Sequence, residues 1–247
     1  MIIDLSFHKA LSGRRDKGNK NNKADTPSGV TYEQFMAMSE DDKNNIILDI
    51  VNNPNIVVPD YLDKSATSKV MYALGMNNKP EVVSDSKLDK IKGESLYRTV
   101  SDAETISAVD ILEQIRYGDY TRLSGDYTSL YGRAIYFATD FKNSAAYGES
   151  TARMARAKLN PNAKIVSDSD LQKMVGKNVF FQNTPGLDDD ATSLTALVNG
   201  IDGWRITPHV GIKNDYVMII NRKALTFSST SKIIDSKKSW RKCTNAN

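Results

Sequence analysis

The chain has 247 residues, of which 40% are hydrophobic and 26% charged, and its formal net charge is +3. This length fits one domain with appendages or two small ones, and it suffices to bury a hydrophobic core. A single cysteine, Cys243, excludes an intrachain disulfide and cysteine-based zinc sites, and two histidines are too few for a histidine metal cluster. No run nears the ~18 apolar residues of a membrane helix and no Sec-type signal pattern is present, so we expect no membrane partner.

Positive charge is concentrated at the two ends. Residues 1–23 have six Lys or Arg against two Asp, and residues 222–247 have seven against one, which leaves 20 basic and 27 acidic residues between them. Such segregation favours contact of the ends with nucleic acid or with an acidic surface such as a capsid wall. Solvated tails that keep the chain soluble are an equally good interpretation, and neither end interleaves aromatic residues with its charges as a single-strand stacking platform does.

Residues 1–30 are predicted to form a flexible basic arm, because most of this stretch is polar, rich in Gly and Asn and without apolar periodicity. Thr31 and Gln34 follow with the spacing of a capping box, in which each side chain bonds the backbone N–H of the other residue. Apolar residues then continue at helical intervals to Ile50, and Pro54 ends the pattern. A helix is therefore predicted over residues 31–53.

A second helix is predicted from about Ser65 to Leu74, because Gly75 stops the apolar pattern there. A further helical turn is predicted to start at Ser84 or Asp85. Residues 31–92 are thus predicted to be a helical lead-in.

The pattern changes at residue 93, after which short apolar runs alternate with short amphipathic segments. The predicted strands are 96–100, 134–138, 203–206 and 216–220, the predicted helices are 106–117, 143–147, 168–175 and 190–199, and 152–159 fits either type. This mixture predicts an α+β domain over residues 93–235, followed by a basic tail at 236–247. Trp204 is predicted to lie in the core.

The common cofactor and catalytic motifs are missing from the sequence. It has no Walker A loop, no glycine fingerprint for dinucleotides, no G-x-S-x-G elbow and no EF-hand loop. The run from Asp188 to Asp190 could chelate a hard cation, but such a run is more often a helix N-terminus favoured by the helix dipole. No metal ligands are therefore predicted.

Four residues form a candidate site: Arg98 on one predicted strand, Tyr136 on another, Tyr147 on the short helix that follows, and Asp215 at the start of a late strand. Two facing rings could hold a flat aromatic ring between them, with stacking worth ~0.5–1.5 kcal/mol beyond the area buried. Each residue taken by itself also fits a structural role: the tyrosines as core aromatics, the arginine as an ion-pair partner and the aspartate as a cap.

Residues 132–140 read G-R-A-I-Y-F-A-T-D and are followed by Ser144, Ala145 and Tyr147. This segment resembles the second motif, G-x-G-I-Y-F-A-D and S-x-x-A-x-Y, of the ADP-ribosyltransferase fold family of diphtheria toxin and the poly(ADP-ribose) polymerases. Residues 96–100 (LYRTV) resemble the first motif, L-[YW]-[HR]-G-[ST]. Residues 214–219 (NDYVMI) resemble the third, N-E-Y-[IV]-V-[YF]. The three occur in the same order as in the family.

The resemblance implies a split two-sheet core with short helices, and NAD as a substrate. It implies that Arg98 contacts the nicotinamide-side ribose or the pyrophosphate and that the backbone of Thr99 meets the carboxamide. It further implies that Tyr136 and Tyr147 hold the nicotinamide ring. Asp215 would hydrogen-bond a ribose hydroxyl, help to polarise the acceptor and stabilise the positive charge that develops on the ribose.

The chain departs from the family pattern at Thr99, where glycine is usual, at the glycine pair before Ile135, and at Asp215, where glutamate is usual; no glutamate occurs after Glu149. Two functions are therefore weighed most closely, and a toxin secreted by a non-Sec route is a third possibility that no feature of the sequence requires. The first is an NAD-dependent mono-ADP-ribosyltransferase acting on a protein or other acceptor, and the second is a degenerate relative serving as a structural or cargo component of a particle. Residues 74–80 (LGMNNKP) resemble the segment before such domains in bacteriophage head-associated proteins, which implies a virion or host-cytoplasmic location.

Overall fold

The computed structural model describes residues 26–76, 79–102, 106–119, 132–146, 152–207 and 215–233. Over these residues the chain combines one mixed sheet with helices, which confirms the α+β class. Among the described helices, none has both the length and the apolar character needed to cross a bilayer.

The sheet has eight described strands in the order β1-β8-β4-β2-β3-β7-β6-β5. They are β1 (Glu81–Val83), β2 (Ser95–Val100), β3 (Ile135–Ala138), β4 (Arg153–Leu159), β5 (Ile165–Ser167), β6 (Gly203–Ile206), β7 (Tyr216–Ile219) and β8 (Leu225–Ile233). The pairs at the two edges, β1 with β8 and β5 with β6, are parallel, and the inner pairs are antiparallel.

The described part of the chain has nine α-helices, most of them short. They are α1 (Tyr32–Met36), α2 (Glu40–Asn52), α3 (Ala66–Ala73), α4 (Asp85–Leu88), α5 (Ala108–Tyr117), α6 (Phe141–Ala145), α7 (Asp168–Lys177), α8 (Phe180–Asn183) and α9 (Ala191–Val198). Helices α1, α2, α3, α5 and α7 each begin after a Ser or Thr whose side chain accepts a backbone N–H of the first turn. These caps fix the helix starts because they satisfy donors that the helix itself leaves without partners.

The sheet narrows at its centre. Strands β2 and β4 pair over six residues, and β3 and β7 pair over four. Strands β2 and β3, in contrast, meet at the single pair Tyr97↔Ala138. We call this narrow contact the central junction. It joins the half β1-β8-β4-β2 to the half β3-β7-β6-β5. The resemblance implies a core split into two sheets. Such a division would fall at this junction, and it stays a prediction.

The helical lead-in shares the hydrophobic core of the residues that follow it. Buried side chains of α1, α2 and α3 belong to the same cluster as those of β3 and β8, and β1 adds a strand to the sheet edge. Asp190, which is buried, accepts the backbone N–H groups of Ala66 and Thr67 at 3.3 and 3.1 Å and the Thr67 hydroxyl at 2.5 Å. Its Oδ1 also lies 3.3 Å from Nε of Arg133. This buried carboxylate therefore binds the start of α3 to the turn before β3.

Several element predictions are confirmed. The capping box is present, with Gln34 N–H bonded to Thr31 and Thr31 N–H bonded to Gln34. Gly75 ends α3 with φ at +61°, a left-handed conformation that glycine adopts at low cost. Trp204 is fully buried, and residues 152–159, for which the sequence left two alternatives, form strand β4.

Other elements differ from the expectation. The helix predicted over residues 31–53 is two helices, because Ser39 starts a new one with its own cap. The three-residue strands β1 and β5 and the Ser/Thr-rich strand β8 were not predicted. The 3₁₀ turn Asp188–Asp190 leads directly into α9, as the helix-start interpretation of the aspartate run expects.

One of the basic residues counted at the C-terminal end lies in the core. Arg222 is fully buried and donates hydrogen bonds to four backbone carbonyls at the C-terminal end of α5, at 2.7–3.2 Å. Burial lowers the pKa of Arg222 to about 10. Its cation therefore caps a helix end, where positive charge is favourable, rather than adding to a surface patch.

Candidate functional site

Arg98 lies at the central junction. It lies two residues from each of the buried residues Leu96 and Val100 on β2, so the three side chains share the face of the sheet that packs into the core. Its Nη1 donates a 2.8 Å hydrogen bond to the backbone carbonyl of Tyr136 on β3. The guanidinium thus links the two strands beside their single backbone pair.

Burial alters the acid–base behaviour of this arginine without discharging it. Burial lowers the pKa of Arg98 to about 10, and the nearby Tyr136 offsets part of this shift. A group with that pKa is protonated at neutral pH. Arg98 is therefore a fixed, partly buried positive charge at the junction.

The side chain of Tyr136 is held by the turn that precedes β3. Its hydroxyl donates to the carbonyl of Gly132 at 3.1 Å. Gly132 has φ at +77°, and a Cβ there would lie 2.8 Å from the Ser193 hydroxyl and about 3 Å from Thr192. The Ser193 hydroxyl in turn accepts the backbone N–H of Arg133 at 2.5 Å and donates to its carbonyl at 2.9 Å. Helix α9 therefore fixes the turn, and the turn fixes the ring of Tyr136.

Thr99 lies next to Arg98 on β2, and its side chain points to the opposite face of the sheet. Its hydroxyl is 3.0 Å from the hydroxyl of Ser144, which is buried on α6. Asp140 caps that helix by accepting the backbone N–H of Lys142 at 2.8 Å. The segment that resembles the second family motif therefore packs its short helix against the strand that resembles the first. Tyr147 lies outside the described residues.

Asp215 stands immediately before β7. Its backbone carbonyl is 3.4 Å from both the N–H and the hydroxyl of Thr139, which extends the pairing of β7 with β3. Its Oδ2 lies 3.8 Å from Nη1 of Arg205. Its Oδ1 is buried and has no hydrogen-bond partner within the part of the chain that the structure describes. A buried carboxylate oxygen without a donor is costly, so this atom is a natural position for a ligand hydroxyl.

Two residues beside Asp215 were not predicted from the sequence. Arg205, on β6, donates to both carboxylate oxygens of Glu94, which stands just before β2, and one of these bonds is 3.1 Å long. The hydrogen bonds that Arg205 donates to Glu94, more than the charge of Asp215, raise the pKa of Arg205. A charged residue inside the otherwise apolar strand of Trp204 and Ile206 is the signal that could have indicated Arg205. Nothing in the sequence pairs it with Glu94.

The structure brings three of the predicted site residues onto neighbouring strands. Arg98 on β2, Tyr136 on β3 and Asp215 at the start of β7 come from motifs far apart in the chain, and β2, β3 and β7 are adjacent in the sheet. Only Arg98 and Tyr136 are in direct hydrogen-bond contact among the three, within the described residues. At strand spacings of roughly 5 Å, the start of β7 lies about 10 Å from β2. That distance suits a ligand that spans several groups rather than a single ion.

Comparisons with known proteins leave the family open. A scan against protein-family models found no match to the chain, and searches of curated proteins and of solved structures found none either. The described residues contain no group of three or more His, Cys, Asp or Glu side chains that could hold a metal ion. Any function must therefore be argued from the geometry of the site.

Proposed function

We propose that the chain is an NAD-dependent mono-ADP-ribosyltransferase, which transfers ADP-ribose from NAD to an acceptor, most simply a protein side chain, and releases nicotinamide. The observation that carries the proposal is the adjacency of β2, β3 and β7. Three sequence segments that each resemble one motif of this family, in the right order, supply neighbouring strands. A chance likeness of short motifs gives no reason for that arrangement.

The residues present fit a dinucleotide with a ribose next to a positively charged ring. The buried Oδ1 of Asp215 can accept a hydrogen bond, and a ribose hydroxyl is a suitable donor. Arg98 supplies a cation for the diphosphate. A phosphate oxygen is charged and thus a stronger acceptor than a carbonyl, so a bound diphosphate would compete with the Tyr136 carbonyl for Nη1 of Arg98.

In the proposed reaction the bond from the ribose carbon to nicotinamide breaks, its electron pair leaves with nicotinamide, and the acceptor forms the new bond to that carbon and loses a proton. Asp215 holds the ribose hydroxyl and places negative charge where positive charge develops, which lowers the barrier. Arg98 and the ring of Tyr136 fix the orientation of the two halves of the dinucleotide.

The test is transfer of label from NAD and release of nicotinamide by the purified full chain. We expect Asp215→Ala to lower both rates by at least about 100-fold, which is typical for removal of one group that stabilises developing charge. Asp89→Ala is the matched control, because Asp89 is also an aspartate paired with an arginine of the sheet and lies outside the proposed site. Equal rates in wild type and Asp215→Ala would overturn the catalytic assignment.

A second candidate function is a degenerate member of the same fold that serves as a structural or cargo component of a phage particle. The observation that favours it is the hydrogen bond from Arg98 to the Tyr136 main chain, which gives the cation a structural role. In that case the basic ends, most of whose residues lie outside the described ranges, would be the functional parts. Calorimetry with millimolar NAD separates the two functions, since a transferase must bind it and a purely structural protein need not.

A further inference from the structure

Arg205 is placed between two carboxylates at one end of the sheet. Its two Nη atoms bind both oxygens of Glu94, and Nη1 also lies 3.8 Å from Oδ2 of Asp215. All three side chains are about one-third exposed, so their charges are only partly screened by water. The arginine is therefore bound firmly to one carboxylate and loosely to the other.

We propose that Arg205, fixed by Glu94, is a positioning residue for Asp215: it attracts Oδ2 and thereby leaves Oδ1 directed to the substrate. The inference rests on the proposed function, because Asp215 acts on substrate only there. It adds Arg205 and Glu94 to a site in which the sequence motifs indicate neither.

The geometry explains why two residues are needed. A guanidinium is a rigid, planar fork, and two parallel bonds to one carboxylate fix its plane as well as its position. With the plane fixed by Glu94, Nη1 presents a single N–H edge to Asp215 and cannot rotate to form a bidentate pair with it. Asp215 therefore keeps one oxygen whose hydrogen-bonding capacity is not used by the described residues.

Loss of Glu94 and loss of Arg205 should both misdirect Asp215, in opposite ways. Without Arg205, nothing among the described residues orients Oδ2, so the carboxylate rotates and meets the ribose hydroxyl less often. Without the charge of Glu94, Arg205 is released to bind both oxygens of Asp215 and occupies the acceptor that the substrate needs. Either change acts on a contact that matters most in the transition state, so kcat should fall more than KM rises.

The experiment measures kcat and KM for NAD with the full chain carrying Arg205→Gln, Arg205→Lys or Glu94→Gln. We expect Arg205→Gln and Glu94→Gln to lower kcat by about 10- to 30-fold, with KM for NAD within about threefold of wild type, as for a misplaced catalytic group. Arg205→Lys, which keeps the cation, should recover at least about threefold in kcat over Arg205→Gln.

Arg156→Gln is the matched control. Arg156 also lies on a strand of this sheet between two carboxylates, with 31% of its side chain exposed against 28% for Arg205. We expect this variant to keep kcat within about twofold of wild type even if both arginine variants lose a similar amount of stability. Equal loss of kcat in Arg156→Gln and Arg205→Gln would assign Arg205 a structural role and overturn the inference.

The remaining outcomes separate this inference from the proposed function. An active wild type whose kcat is unchanged in Arg205→Gln and in Glu94→Gln overturns the positioning role and leaves the transferase proposal standing. A wild type that neither binds nor consumes NAD overturns both. If Arg205→Gln does not fold, Glu94→Gln, which changes charge but hardly changes shape, decides the outcome by the same criterion.

Discussion

Two arginines of the same sheet, Arg156 and Arg205, each lie between two carboxylates. The two clusters differ in how many of their carboxylate oxygens already accept hydrogen bonds. In the Arg156 cluster, Arg156 on β4 bonds Asp89 at 2.6 Å and Asp85 at 3.1 Å. In the Arg205 cluster, Arg205 on β6 binds Glu94 twice and approaches Asp215 only to 3.8 Å. The two arginines have nearly the same exposure, so the difference lies in the acids.

In the Arg156 cluster, both carboxylate oxygens of Asp85 accept hydrogen bonds. Asp85 accepts the hydroxyls of Ser228 at 2.5 Å and Thr230 at 2.6 Å, in addition to Arg156. These bonds, the hydroxyls first, lower the pKa of Asp85 to about 2. They fasten α4 and β8 to β4, so both carboxylate oxygens of Asp85 serve the fold.

In the Arg205 cluster, one carboxylate oxygen of Asp215 has hydrogen-bonding capacity that the described residues leave unused. Oδ1 of Asp215 is buried and has no hydrogen-bond partner among the described residues. A folded chain gains nothing from such an atom, because its desolvation is uncompensated. The two clusters are thus alike in charge and in exposure and differ in unused hydrogen-bonding capacity, which is the property that the proposed site requires of Asp215.

The largest expected contrast is in stability. Asp85→Ala removes the acceptor of two hydroxyls and one guanidinium, and we expect it to lower the free energy of unfolding by about 1–2 kcal/mol, a value reduced because the cluster is partly exposed. Asp215→Ala removes a long ion pair, which lowers stability slightly, and also removes the uncompensated desolvation of Oδ1, which acts the other way, so it should lower that free energy by no more than about 0.5 kcal/mol. Urea unfolding at constant m-value measures both. Asp85→Ala should meanwhile keep the rate of the proposed transfer, and a destabilisation of equal size in the two variants would remove the distinction between the clusters.

Those parts of the fold that depend on local chemistry could be predicted from the sequence. The capping box of Thr31 and Gln34 and the stop at Gly75 need only neighbours within one or two turns, and the buried strand of Trp204 has an apolar composition. The strands of the three family-like motifs were predicted for the same reason. Long-range pairing decides the rest.

The elements that were missed obtain their stability from partners far along the chain. Strand β8 is rich in Ser and Thr, a composition that is typical of a loop. In the structure, Asp85 accepts the hydroxyls of two of these residues. The three-residue strands β1 and β5 have too few residues for any period to show and exist because β8 and β6 pair with them. The contact of Glu94 with Arg205 likewise depends on the order of the strands, which the sequence does not reveal.

The next contrast concerns pH. Because the pKa of Asp85 falls from its ordinary 3.8 to about 2 on folding, its stabilising effect is fully present above about pH 4 and is lost as the pH falls through 2. We therefore expect the difference in unfolding free energy between wild type and Asp85→Asn to shrink steadily between pH 4 and pH 2. Urea titrations at several pH values in this interval measure it. A difference that stays constant over the interval would mean that the carboxylate's charge has no part in holding β8.

The smallest expected effect concerns a surface ion pair whose carboxylate accepts no hydroxyl donor among the described residues. The question is whether such a pair contributes to the free energy of unfolding. Lys87 bonds Glu81 at 2.9 Å on the same edge of the sheet as the Arg156 cluster, and more than half of each side chain is exposed. Exposed pairs of this kind contribute little, because water screens them and ordering two long side chains costs entropy. We expect Glu81→Gln to change the free energy of unfolding by less than about 0.5 kcal/mol in the same urea assay. If it instead matched Asp85→Ala, the stability of the Arg156 cluster would follow from charge pairing alone, and the saturated acceptors of Asp85 would no longer explain how it differs from Asp215.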